Sequence, residues 1–174
     1  MPLPDADLRI ESTEAGAAGE IQVKGPNVFK GYWGLKEKTA DAFTTDGYFR
    51  TGDLGEIDAD GYVTIVGRSK DLIISGGLNI YPKEIETVID AQPEVDESAV
   101  IGLPDPDFGE RVIAIVVETT KGAVDPVALK NVLAQSLAKY KLPKEIVTID
   151  NLPRNSMGKV MKKDLRDLIS QKRF

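Results

Sequence analysis

The N-terminal part of the chain alternates between apolar and polar positions at the spacing of β-strands. Residues 6–10 and 20–24 show this alternation, with Ile21 and Val23 on one face of the second segment. The Asp60-Gly61 pair lies between two further apolar segments, which is typical of a β-hairpin turn. Residues 36–43 add a short helical pattern. This part of the chain is therefore predicted to be rich in β-structure.

The C-terminal part combines apolar runs of strand length with amphipathic helical patterns. The runs predict two buried strands, at residues 98–103 and 112–117, and a short strand at residues 146–149. Three helices are predicted, beginning near Pro82, near Pro126 and at Lys163. Strands interleaved with helices indicate an α+β or a small α/β layer domain.

The two patterns meet at residues 67–77. A charged turn precedes an apolar run of strand length, and Gly76 and Gly77 follow it directly. One interpretation is a hinge beside a stretch of backbone that another molecule can approach closely. The other is a β-hairpin with a glycine-rich turn, and the spacing alone favours this one.

Two charged residues are candidates for chemistry. Asp53 lies between glycines and is predicted near the head of a strand, where its carboxylate can accept two hydrogen bonds from the vicinal hydroxyls of a sugar. The alternative for Asp53 is a residue that caps a turn. Lys159 follows a glycine at the end of the loop 152–159, a position suited to deliver one ammonium group. The alternative for Lys159 is a solvated surface lysine beside Lys162 and Lys163.

Composition excludes several kinds of chemistry. The chain of 174 residues contains no cysteine and no histidine, so it has no thiol nucleophile, no thiolate metal site and no imidazole base. Its net charge of −6 argues against binding to nucleic acid or to an anionic membrane, because both need a basic surface. No apolar run is long enough to span a bilayer, and the first residues lack the features of a signal peptide. A cytoplasmic protein without metal ligands of its own is predicted.

Four motifs resemble, in their order along the chain, those of one enzyme superfamily. They lie at residues 19–32, 47–54, 67–86 and 153–159. The whole chain resembles the C-terminal part of the acyl-adenylate-forming enzymes, which include acyl-CoA synthetases, luciferases and the adenylation domains of peptide synthetases. Residues 25–33 and 75–82 are most similar to malonyl- or methylmalonyl-CoA synthetases.

The resemblance implies a fold of two parts and a reaction of two steps. Residues 1–67 would form a small β-rich, barrel-like subdomain that ends a large adenylating domain. Residues 68–70 would form a hinge, and residues 71–174 a small α+β lid domain. A small carboxylic acid first reacts with ATP, which carries Mg²⁺, to give an acyl-AMP and pyrophosphate. The lid domain then rotates, and coenzyme A converts the acyl-AMP to a thioester.

The resemblance also implies roles for three residues near the nucleotide and the hinge. Asp53 matches the aspartate that binds the ribose of ATP or AMP. Arg68 matches an arginine that contacts the nucleotide near the ribose. Lys70 matches the hinge position, where the backbone torsions change between the two steps.

Two glycines and a lysine match positions of the lid domain. Gly76 and Gly77 match the loop that lines the channel for coenzyme A. Lys159 matches the lysine that contacts the carboxylate and the phosphate oxygens during adenylation. In this superfamily a protein acetyltransferase can acetylate that lysine, and a deacetylase can reverse the change. Acetylation removes the positive charge that adenylation needs.

Other segments of the superfamily have no match in this chain, namely those that hold the phosphates, the adenine and the acyl group. The chain alone is therefore expected to be inactive and to work as part of a longer ligase. The alternative is a regulatory or interaction module, or an acetyltransferase substrate modified at Lys159.

Overall fold

The computed structural model describes residues 5–12 and 18–171. The chain divides into two compact units, Met1–Lys70 and Asp71–Phe174. Among the described residues there are two β-sheets and four α-helices, so the predicted α+β fold class is confirmed. No helix in this part of the chain is long and apolar enough to cross a membrane.

The first unit is built on a four-stranded antiparallel sheet with the strand order β1-β2-β3-β4. Its elements are β1 (Asp7–Glu11), β2 (Gly19–Lys24), α1 (Lys36–Ala42), β3 (Phe49–Ile57) and β4 (Val63–Arg68). The two predicted strands and the short predicted helix are confirmed. The predicted hairpin at Asp60-Gly61 is also confirmed, since these residues form the turn between β3 and β4.

Aromatic side chains supply much of the packing in the first unit. Phe29, Phe43 and Phe49 approach one another with ring centroids 5.1 to 5.9 Å apart. Tyr32 meets the ring of Phe29 edge to face at 5.0 Å. Such tilted and edge-on arrangements bring the positive edge of one ring to the negative face of another. The cluster therefore joins the loop that follows β2 to the start of β3.

Charged side chains on the first sheet are also paired. Arg9 donates to both carboxylate oxygens of Asp46, at 2.6 and 3.1 Å, and its guanidinium lies 3.9 Å from the centroid of the Tyr48 ring. The hydrogen bond from Arg9, with a second from Thr44, lowers the pKa of Asp46 to about 2. Because both partners are substantially exposed, this pair fixes the turn before β3 more than it stabilises the unit.

The second unit has a five-stranded mixed sheet. Four strands follow the order β6-β5-β8-β7, and a fifth, β9, pairs with β8 in parallel. Its strands are β5 (Ile73–Ser75), β6 (Leu78–Ile80), β7 (Val95–Asp105), β8 (Gly109–Glu118) and β9 (Glu145–Thr148). Its helices are α2 (Pro82–Asp90), α3 (Pro126–Ser136) and α4 (Lys162–Gln171). The predicted strands and helices lie within or overlap these elements.

The strand β8 is buried on both faces of the sheet. Val112, Ala114 and Val116 face one hydrophobic core, which contains residues of α2 and α3. Ile113 and Ile115, from the alternate positions, face a second core that contains residues of α4. This placement explains why the sequence of β8 reads as a continuous apolar run instead of an alternation. The three helices therefore cover the sheet from both sides.

A buried ion pair connects the two sides of the second unit. The Nζ atom of Lys162, at the start of α4, donates to Oε1 of Glu86 in α2 at 2.6 Å and to the carbonyl oxygen of Val100 in β7 at 3.1 Å. Glu86 also accepts from the backbone nitrogen of Val100 at 2.9 Å. The side chain of Lys162, which is close to Lys159 in the sequence, is only 17% exposed. Its charge is compensated by a carboxylate that is distant in the sequence.

Replacement of Lys162 tests this ion pair. Lys162→Met is expected to lower the free energy of unfolding by about 3 kcal/mol, because it leaves the buried carboxylate of Glu86 without its counter-charge. Urea denaturation followed by helical circular dichroism measures the change. Lys163→Met, at the exposed neighbouring position, is the control and should change stability by less than about 0.5 kcal/mol. Equal effects of the two substitutions would contradict the interpretation.

Candidate functional site

The structure brings together two of the predicted nucleotide-binding residues. Asp53 in β3 and Arg68 at the end of β4 are directly paired across the sheet. The Nε atom of Arg68 lies 2.7 Å from Oδ1 of Asp53. The side chain of Asp53 is 23% exposed and that of Arg68 is 52% exposed. A carboxylate and a guanidinium thus lie side by side on an accessible strand pair, where together they offer acceptors and donors for hydroxyl groups.

A β-bulge decides which residue stands opposite Asp53. Near the turn, the register pairs Ile57 with Val63 and Gly55 with Ile65. Continued without interruption, that register would place Gly67 opposite Asp53. The pairing shifts by one residue between Leu54 and Gly55, and Arg68 takes the position instead. Because a shift of one residue exchanges the two faces of a strand, the bulge is what aims Arg68 at Asp53.

Asp53 lies in the middle of its strand, and the prediction that it sits near the head of a strand is wrong. The alternative of a turn-capping aspartate is wrong for the same reason. β3 runs from Phe49 to Ile57 through both neighbouring glycines. Gly52 has a φ of 72°, but the pairing with β2 continues on both sides of it. The glycines accompany irregularities in the ladder and do not end the strand.

Lys70 lies in a short 3₁₀-helix, Ser69–Asp71, and its side chain is exposed. The division between the two compact units falls directly after this residue. Arg68, which belongs to the predicted hinge at residues 68–70, is the last residue of β4. The movement of a hinge at these residues stays a prediction.

Gly76 and Gly77 form the two-residue turn of the β5–β6 hairpin. Ser75 pairs with Leu78 across this turn. The φ angles of the two glycines are 58° and 79°, and a type I′ turn needs positive φ at both central positions. The hairpin interpretation of this segment is therefore confirmed. A side chain at either position would be strained by the backbone conformation.

A cavity of about 610 Å³ lies beside this turn, within the second unit. Gly76 lines it and donates from its backbone nitrogen to the carbonyl oxygen of Phe108 at 2.8 Å. The Nζ atom of Lys144 lies 4.6 Å from the centroid of the Phe108 ring. Besides Ser75, the remaining lining residues combine apolar and cationic side chains: Leu78, Lys130, Lys139, Tyr140, Leu142 and Pro143. Apolar walls with a cationic rim suit an elongated anion that also carries apolar groups.

This cavity was not predicted from the sequence. Its sequence signal was the segment 139–144, in which three lysines flank Tyr140. That signal was ambiguous, because Lys141 is not part of the lining. Its ammonium group instead contacts both carboxylate oxygens of Glu84 at 2.7 Å. Only the tertiary structure distinguishes the lysines that face the cavity from the one that is paired.

Lys159 lies on a small hydrogen-bonded hairpin between β9 and α4. Arg154 and Val160 form an antiparallel bridge at its base. The backbone of Lys159 is held on both sides, since its nitrogen donates to Oδ1 of Asn155 and its oxygen accepts from the nitrogen of Asn155, each at 3.0 Å. Gly158 makes the turn with a φ of 77°. Lys159 is exposed, and its ammonium group contacts no acidic side chain in residues 5–12 and 18–171.

The described part of the chain contains no group of three or more acidic side chains that could hold a metal ion.

The candidate residues form a carboxylate–guanidinium pair in the first unit. In the second unit they form a glycine turn with a neighbouring cavity, and an exposed lysine.

Residues 84–159 match the family model described as the AMP-binding enzyme C-terminal domain. The chain is 45% identical to an indoleacetate–CoA ligase of Aromatoleum aromaticum, over 98% of this chain and 34% of the ligase. It is 42% identical to a malonate–CoA ligase of Arabidopsis thaliana, over 95% of this chain and 29% of that ligase.

A solved structure is also similar to this chain over most of its length. The ATP-bound MatB from Rhodopseudomonas palustris is 52% identical to this chain, with a TM-score of 0.88 over 95% of this chain and 34% of MatB. The chain thus spans about a third of the length of the relatives that it matches. The match of motifs, family model and structure leads to one conclusion: the chain belongs to the acyl-adenylate-forming superfamily, which includes the acyl-CoA ligases, and corresponds to its C-terminal part.

Proposed function

We propose that this chain is the C-terminal part of an ATP-dependent acid–thiol ligase that forms an acyl-AMP and then an acyl-CoA. The observation that carries the proposal is the exposed Lys159, whose backbone is held at both nitrogen and oxygen while its ammonium group has no acidic partner among the described residues. A cation held ready in this way suits a reaction in which negative charge develops on a phosphate. The similarity to CoA ligases supports this choice.

In the proposed first step, a carboxylate oxygen of the acid attacks the α-phosphorus of ATP bound with Mg²⁺. The bond between the α-phosphorus and the oxygen that bridges to the β-phosphate breaks, and pyrophosphate leaves with the electron pair. Lys159 stabilises the charge on the α-phosphate and on the attacking carboxylate. Asp53 accepts hydrogen bonds from the ribose hydroxyls, and Arg68 both holds Asp53 and donates to the nucleotide. Mg²⁺ arrives with ATP as part of the substrate.

In the proposed second step, the thiol of coenzyme A attacks the acyl carbon of the acyl-AMP. The bond from that carbon to the phosphate oxygen breaks, AMP leaves with the electron pair, and the thiol proton passes to solvent. The turn at Gly76 and Gly77 lets the pantetheine arm approach the backbone closely. The neighbouring cavity offers apolar walls for that arm, and Lys130, Lys139 and Lys144 for the phosphate groups of coenzyme A. Lys70 is the proposed hinge between the two steps.

The proposed acid is malonate or methylmalonate, in a cytoplasmic enzyme. This substrate is supported by the sequences of residues 25–33 and 75–82, which resemble those of malonyl- or methylmalonyl-CoA synthetases. The similarity to a malonate–CoA ligase also supports it. Ligases for indoleacetate and other acids have a similar identity to this chain. The residues that select the acid are therefore expected in parts of the ligase outside this chain.

The chain alone is expected to form no thioester. The reason is that it spans about a third of its relatives and lacks matches to the segments that hold the phosphates and the acyl group. The measurement is thioester formation from ATP, Mg²⁺, coenzyme A and a panel of acids that includes malonate and methylmalonate. Circular dichroism on the same sample verifies folding. Turnover above background would contradict the proposed dependence on a longer ligase.

Replacement of Lys159 in the longer ligase is expected to separate the two half-reactions. Lys159→Ala should lower the rate of adenylation by about 10²- to 10³-fold, the scale of losing one preorganised charge-stabilising group. Thioester formation from preformed acyl-AMP should stay within about twofold, because that step does not use this ammonium group. Pyrophosphate exchange measures the first step and release of AMP measures the second.

Lys163→Ala is the matched control for this experiment, because Lys163 is an exposed lysine of the same segment. It should leave both half-reactions unchanged. An equal loss in both half-reactions of the Lys159 variant would contradict the proposed role.

We propose, as a second candidate, that Lys159 is a site of acetylation by a protein acetyltransferase. Its exposure on a hairpin supports this function. Incubation of the chain with acetyl-CoA and a panel of acetyltransferases, followed by peptide mass spectrometry, is expected to show acetyl-Lys159 and unmodified Lys162. Lys163 is exposed as well, so its modification to the same extent would indicate accessibility without recognition, and the candidate would fail.

A further inference from the structure

The first residues of the hairpin that carries Lys159 are attached to β7. Arg154 forms an ion pair with Glu97 of β7 through its Nη2 atom. Its Nη1 atom donates to the carbonyl oxygen of Gly158 at 2.7 Å. One guanidinium therefore connects the strand β7 to the turn directly before Lys159. Because the guanidinium is planar and rigid, these contacts fix an orientation as well as a distance.

The same hairpin is fastened again where it ends. Three residues after Lys159, the side chain of Lys162 donates hydrogen bonds to the carboxylate of Glu86 and to the carbonyl oxygen of Val100. Val100 lies in β7 three residues after Glu97. Both attachments therefore involve β7, an 11-residue strand of the sheet in the second unit.

The two attachments also set the charge of the hairpin. The charge of Arg154 is compensated by Glu97, and that of Lys162 by Glu86. Lys159 remains the cation of this hairpin without an acidic partner among the described residues. An anion that approaches the hairpin thus meets the charge of Lys159 on a fixed backbone, and no acidic side chain of the described residues compensates that charge.

We propose that Arg154 and Lys162 are positioning residues, which hold the hairpin on β7 so that Lys159 is delivered from a preformed backbone. This inference rests on the proposed role of Lys159 in adenylation. The physical reason is that a charge-stabilising group acts strongly only when its position is fixed before the reaction, and a misplacement of about 1 Å can cost about 10²-fold in rate.

The activity experiment uses the longer ligase with Arg154→Gln, Glu97→Gln and the double variant. Each single variant is expected to lower the rate of adenylation by about ten- to a hundredfold, with the KM for ATP unchanged. Thioester formation from preformed acyl-AMP should not change, whereas a general loss of structure would lower both steps. The double variant should be no slower than the slower single variant, because both substitutions remove the same interaction.

Lys83→Gln is the matched control, because it removes an exposed ion pair with Asp90 at 4.0 Å in a different part of the same unit. It should leave both steps unchanged. Unchanged adenylation in the Arg154 and Glu97 variants would overturn the inference. So would a loss of the same size in the control.

A second measurement on the 174-residue chain itself is independent of catalysis. Hydrogen exchange at the amides of Met157 and Lys159, which donate to Asn155, should become at least about tenfold faster in Arg154→Gln. Exchange in β8 should stay the same. Unchanged exchange at the hairpin would overturn the fastening even if activity fell.

The two experiments separate failure of this inference from failure of the proposed function. If Lys159→Ala leaves adenylation intact, the proposed function fails, and the exchange data still decide whether Arg154 holds the hairpin. If Lys159→Ala lowers adenylation but Arg154→Gln changes neither adenylation nor exchange, only the positioning role fails.

Discussion

The antiparallel pairing of β7 with β8 is the interaction on which the rest of the second unit depends. It runs from Val95 opposite Glu118 to Asp105 opposite Gly109. β8 also pairs with β5 and, in parallel, with β9, so it contacts every strand of the sheet except β6. Since both faces of β8 are buried, the helices on the two sides are held by one strand. The strand β7 pairs with β8 and contains Glu97 and Val100, to which the Lys159 hairpin is attached.

Three lysines within five positions have different environments in this fold. Lys159 is exposed on the hairpin, Lys162 is paired with a buried carboxylate, and Lys163 is exposed at the start of α4. The difference follows from geometry, because α4 must place its apolar face against the sheet and Lys162 lies where its first turn meets β7 and α2. A buried carboxylate there makes a lysine the stable choice, since an unpaired charge at such a position is strongly unfavourable.

The pairing of Asp53 with Arg68 depends on a single extra residue in β4. The turn at Asp60-Gly61 is clear in the sequence, and it predicts a hairpin with the residues near the turn in simple register. The bulge between Leu54 and Gly55 is not visible in that pattern, because it depends on how the chain accommodates the packing of three neighbouring strands. The two residues could therefore be proposed from the motif, while their contact could not.

The sequence by itself determined the α+β class, most strands and helices and the glycine-rich hairpin turn at Gly76 and Gly77. These features depend on local periodicity, on proline and glycine positions and on turn chemistry, all of which act within a few residues. The motifs also identified the superfamily before any fold was known.

Only the tertiary structure decided the features that join distant parts of the chain. Lys162 meets Glu86 across 76 positions, and Arg154 meets Glu97 across 57. It also decided which lysines line the cavity beside Gly76. A sequence pattern reports the burial and the period of a segment, but it does not report which segment will lie opposite. The partner of a charge is fixed only when the strands have paired and the helices have packed, and at Lys159 that same packing leaves one charge without an acidic partner in the described part of the chain.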